Sequence, residues 1–73
     1  MYEQLLTHNG RTRRFVIEHA ALEGWVMREE LDSRVLNRSR YSDWHRVEQA
    51  VHFKISLLQR EGWDLAQTSS TNR

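Results

Sequence analysis

The sequence predicts a small α+β domain: an antiparallel β-meander of three to four strands packed against one long amphipathic C-terminal helix. Three observations carry this expectation. Asn9-Gly10 separates two runs that alternate in strand fashion; Val47, Val51, Ile55 and Leu58 recur at helical spacing; and Gly62 stands where that helix should stop. Asn-Gly is the favoured centre of a two-residue type I′ hairpin, because both central residues need positive φ. Closing the chain there sets Leu6 opposite Arg13, Gln4 opposite Phe15 and Tyr2 opposite Ile17. Tyr2, Leu6, Phe15 and Ile17 then share one apolar face, while Leu5 and Val16 look to the other.

His19–Gly24 has the length of an ordinary connection. Trp25–Glu30 reads as a third strand, with Trp25 and Met27 on one face and Val26 and Arg28 on the other. Leu31-Asp32-Ser33 can turn the chain, and Arg34–Asn37 can return as a fourth strand. A helix competes over residues 27–37, because Met27, Leu31 and Val35 also lie at i, i+4 and i+8. In that arrangement the domain is mostly helical, and Trp63–Gln67 forms a vestigial wing. A Trp-Val-Met start after a glycine favours the strand.

Ser42 and Asp43 are both competent N-caps, so the helix is expected from Ser42 to Glu61. Its apolar side spans about 160°, wide enough to cover a sheet. Gly62 supplies the left-handed residue that ends the helix. Trp63 then swings back to close the core over Leu58, and Trp63–Ala66 adds a short last strand or arm. Residues 1–67 make a single domain, and 68–73, small or polar up to the final arginine, read as a disordered tail. A chain ending after Gln67 is expected to fold.

With 73 residues, 38% hydrophobic and 29% charged, the chain has room for one compact core and is too apolar to be disordered. The absence of cysteine removes disulfides, cysteine–zinc sites and thiol catalysis. No apolar run approaches the roughly 18–20 residues of a membrane span, and the start has no signal-peptide core. The expectation is a cytoplasmic domain without membrane contact. Eleven basic residues face ten acidic ones, short of the basic excess usual in dedicated nucleic-acid binders.

Chemistry-bearing patterns are few. His45 and His52 lie seven residues apart on the helix, about 10 Å, too far to share one ion. No serine occupies a nucleophile elbow, and the three isolated glycines form no phosphate loop. Glu29 and Glu30 point to opposite faces of a strand, the wrong geometry for an acid–base pair. No catalytic residue, metal or cofactor is assigned, and the chain is expected not to be an enzyme.

Two surfaces remain. Arg38, Arg40 and Arg46, interleaved with Tyr41 and Trp44 and completed by Arg13 or Arg14, have the composition of a nucleic-acid contact strip. Lys54 intrudes on the apolar side of the helix, where it must snorkel or pair with a sheet carboxylate such as Glu29, or else line an interface. Phe53 lies about 100° from the centre of that side and is exposed in a monomer. The favoured function is a non-catalytic module that binds a protein partner or itself as a homodimer through Phe53 and Lys54. The alternative is a nucleic-acid-binding accessory protein that uses the arginines. The Trp25 strand, the Asp43–Glu48 helix start and the Glu61-Gly62-Trp63 stop resemble small bacterial proteins without assigned chemistry, over about half the chain, and this implies no site residue.

Overall fold

A computed structural model describes residues 2–22 and 24–70, with the side chains of all of these except 67–70. Strands β1 (Tyr2–His8), β2 (Arg11–Ala20), β3 (Gly24–Leu31) and β4 (Arg34–Tyr41) precede helix α1 (Trp44–Arg60), and β5 (Asp64–Ser70) follows it. The five strands form one antiparallel sheet in the order β4-β3-β2-β1-β5. The α+β class and the meander are as expected. The helix, however, is followed by a strand, so it is not C-terminal, and the sheet has five strands rather than three or four.

The first hairpin has the expected register, with Leu6 opposite Arg13, Gln4 opposite Phe15 and Tyr2 opposite Ile17. Asn9 and Gly10 both adopt positive φ, 51° and 77°, as a type I′ turn requires. The second tight turn is less obvious in sequence: Asp32 and Ser33 also take positive φ, 50° and 71°. Asp32 is held there by neighbours on β2. Its carboxylate accepts from the Thr12 N–H at 2.9 Å and from Arg11 Nε at 2.9 Å, while its own N–H donates to the Thr12 carbonyl at 2.8 Å. Residues 27–37 are therefore strand–turn–strand, and β4 runs four residues beyond Asn37 to Tyr41.

Asp43, not Ser42, caps the helix, its side chain accepting from the Arg46 N–H at 3.0 Å. The opposite end closes by a Schellman pattern. The Gly62 N–H donates to the Gln59 carbonyl (3.1 Å) and the Trp63 N–H to the Leu58 carbonyl (3.0 Å). Gly62 has φ +105°, and a Cβ there would stand 2.9 Å from His8 Cε1, so both conformation and space call for glycine. That turn aims the chain along the free edge of β1. Leu6 pairs with Leu65, Leu5 with Gln67, and Tyr2 with Ser70 across one irregularity. Thr68, Ser69 and Ser70, assigned to the tail by sequence, thus belong to β5, because the unpaired backbone of β1 offers them a ladder; residues 71–73 lie outside the described residues.

Helix α1 lies across one face of the sheet. Val47, Val51, Ile55 and Leu58 meet Leu6, Phe15, Ile17 and Met27, and Trp63 closes the cluster near the β1–β2 turn. At the other end Trp44 stacks edge-on against Trp25 and Tyr2, at 5.0 and 5.8 Å between ring centroids. Among the described residues, no helix is long and apolar enough to cross a membrane.

Candidate interaction surfaces

The face of the sheet away from α1 carries no covering element among the described residues, yet Val16 is only 1% exposed there. Its same-face neighbours explain this. Val16 lies opposite Glu3 and Arg28 on the flanking strands, with Arg14 and Glu18 two residues away on its own strand. These residues form a chain of ion pairs: Arg14 bridges Glu3 and Glu30, and Arg28 bridges Glu30 (2.8 Å) and Glu18 (3.2 Å). Their aliphatic stems roof Val16 and Val26; Arg14, Glu18 and Arg28 stay partly exposed, whereas Glu30, held between two arginines, is itself buried. The Glu30 hydrogen bond pushes the Arg28 guanidinium above its ordinary value, ahead of an opposing effect of burial.

A second ionic cluster lies under the helix. Glu29, buried on the α1 side of β3, pairs with Arg13 and with Lys54 Nζ at 3.4 Å. The lysine on the apolar side of the helix thus finds the carboxylate expected for it. Arg13 also lies over the Trp63 ring, 4.9 Å from its centroid, with His8 5.5 Å from the same ring. This cluster ties helix to sheet.

The sequence-proposed arginine strip does not assemble on one surface. Arg13 is under the helix with Glu29, whereas Arg14 is on the open face, engaged with Glu3 and Glu30. Arg46 is on the first turn of α1, 3.7 Å from Asp43. Only Arg38 and Arg40 stay together, exposed on the open face of β4 opposite Arg28 and Val26. The alternation of side chains placed Arg13 and Arg14 on opposite faces from the outset.

β4 is the edge where apolar surface collects. Val35 and Leu36 are 57% and 52% exposed, and Leu36 is the extra residue of a bulge, since Asn37 pairs with Glu29 while Val35 already pairs with Glu30. Leu57, 40% exposed, lies on the flank of α1 that faces β4, and Phe53, 66% exposed, lies next to it toward the back of the helix. Lys54 reaches Glu29 on β3, and Phe53 and Leu57 lie on the far side of Lys54 from Ile55, by about 100° and 60° of helical rotation. The opposite flank, with His52, Ile55, Ser56 and Gln59, borders Gln4 and Leu65 on β1 and β5.

Two shallow grooves accompany these surfaces. One of about 430 Å³ lies between Leu5, Thr12, Arg14, Glu30, Asp32 and Ser33. A smaller one, about 190 Å³, runs beside His52 and Ser56. In the first, both carboxylates already hold arginines. In the second, His52 and Ser56 share no hydrogen bond with each other among the described residues. Among the described residues no group of three or more histidines and carboxylates is disposed to hold a metal ion. Set beside known proteins, the chain matches no family model, no curated protein and no solved structure.

Proposed function

We propose that the chain is a non-catalytic interaction module that docks a protein partner along β4 and the adjoining flank of α1. The observation that supports this reading is the coincidence of an eight-residue edge strand, its outer edge unpaired among the described residues, with four exposed apolar side chains on or beside it: Leu36 at the bulge, Val35 on the open face, and Leu57 and Phe53 on the helix. An edge strand presents a row of free backbone donors and acceptors, and apolar surface beside it rewards whatever covers both. The larger groove has both of its carboxylates, Glu30 and Asp32, committed to ion pairs, which favours a binding role over a catalytic one.

A photo-crosslinking amino acid placed singly at Leu36, Phe53 and Gln59 in the source cells tests the proposal. Gln59 is exposed on the opposite flank of the helix, beside β1 and β5. The expected result is one discrete adduct, of the same mass, from positions 36 and 53 and none from 59. Adducts from all three positions, or from none, would overturn it. An adduct of twice the chain mass identifies the partner as a second copy.

A further inference from the structure

Resting on that reading, we infer that the partner of β4 is an extended acidic segment of another protein, added to the sheet as a sixth strand, rather than a second copy of this chain or a nucleic acid. The charge of the edge points to it. β4 contains Arg34, Arg38 and Arg40 and no carboxylate, whereas the other edge, β5, contains no cation. Arg34 and Arg38 have no ion-pair partner among the described residues. Elsewhere on the open face, arginines and glutamates alternate in closed pairs.

Self-pairing conflicts with this charge. Beyond the bulge, Asn37–Tyr41 is the regular part of the edge. In a two-fold antiparallel pairing of this segment with its copy, residues of the same face stand opposite each other. Every such register that pairs three or more of these residues sets Arg38 or Arg40 against Arg38 or Arg40 of the copy. Like charges directly opposite are destabilising, and a bulge further discourages edge-to-edge pairing. The same arginines attract a strand with carboxylates at alternate positions. Its acidic side chains would meet Arg38 and Arg40 on the open face, and its intervening apolar side chains would lie on the helix side, toward Phe53 and Leu57. A single-stranded nucleic acid would use the arginines but leave the backbone edge unmatched.

The test uses the full chain and a short synthetic peptide of alternating glutamate and valine. Binding is followed by amide chemical shifts at low and high salt. Expected are shifts confined to Arg34–Tyr41 and the Phe53 flank, weakened by salt. The double variant Arg38→Glu, Arg40→Glu should lose roughly tenfold or more in affinity and gain for the lysine–valine peptide. Both arginines are exposed, so an unchanged urea midpoint certifies that the variant is folded. Equal binding of the glutamate peptide by native and variant chains would overturn the inference, as would binding of a single-stranded DNA oligonucleotide with the same arginine dependence while the peptide fails. A dimer abolished by Leu36→Glu would overturn it in favour of a second copy. If the crosslinks from positions 36 and 53 form but no arginine-dependent peptide binding is seen, the module stands and this choice of partner falls.

Discussion

Trp63→Ala probes the closure of the core at its C-terminal end. Trp63 is 9% exposed and packs within the cluster that contains Leu6, Phe15 and Leu58, with Arg13 over its ring and His8 beside it. A buried tryptophan removes on the order of 200 Å² from water, about 5 kcal/mol at about 25 cal/mol/Å². A realistic unfolded chain already hides some of that area, which brings the figure to about 3–4.5 kcal/mol. The cavity left behind and the lost cation–π contact restore part of the difference, so the substitution should cost about 3–5 kcal/mol. A domain of this size has about 4–11 kcal/mol in all. Trp63→Ala is therefore expected to unfold the protein or leave it molten, with near-ultraviolet circular dichroism lost. If it still folds, its urea midpoint should fall by about 3 M, taking a slope of about 1 kcal/mol per M. A midpoint lowered by less than about 1 M would refute the reasoning and move Trp63 from the core to the functional surface.

Gly62→Val should cost about 1–3 kcal/mol through strain at φ +105° and displacement of His8, read from the same urea curves. Glu29→Gln leaves Arg13 and Lys54 without their shared carboxylate and should cost about 2–4 kcal/mol, whereas Lys54→Met, which keeps the Arg13–Glu29 pair, should stay within about 1 kcal/mol of native. The Thr12 N–H, and after it the Arg11 guanidinium, hold the Asp32 carboxyl below the usual carboxylate range. Its contribution is thus present above the unfolded-state value and lost as pH falls through the folded one. Urea midpoints measured from neutral into acid should drop less in that window for Asp32→Asn than for the native chain. Ending the chain after Gln67 removes the partners of Gln4, Glu3 and Tyr2 on β5 and should cost about 1–3 kcal/mol while circular dichroism still reports the native fold.

The local signals that were legible are those fixed by short-range chemistry. Asn9-Gly10 determines a turn type, the turn type determines a register, and the register sets Leu6, Phe15 and Ile17 on the buried face. Lys54 was anomalous on an apolar helix side, and the anomaly named its own partner, Glu29. Less legible were features that depend on partners far along the chain. β5 carries a single large apolar residue, Leu65, so it has no periodic signal, and only the free edge of β1 makes it a strand. The Asp32-Ser33 turn lacks glycine, and its positive φ is sustained by Thr12 and Arg11, some twenty residues earlier. The ionic roof over Val16 was written in the alternation of Glu3, Arg14, Glu18, Arg28 and Glu30, but required the register of three strands to be seen together. The arginine strip failed for the converse reason: proximity in sequence put Arg13 and Arg14 together, and strand alternation separates them.

The central claim is that β4, and not β5 or the open face, is where this protein meets its partner. Amide hydrogen exchange on the full chain, alone and in complex with the protein captured from positions 36 and 53, tests it most directly. The account expects slowed exchange at the outward amides of Arg34–Tyr41 and around Phe53, with the rates along β5 unchanged. Protection along Asp64–Ser70, or none at β4, would contradict it.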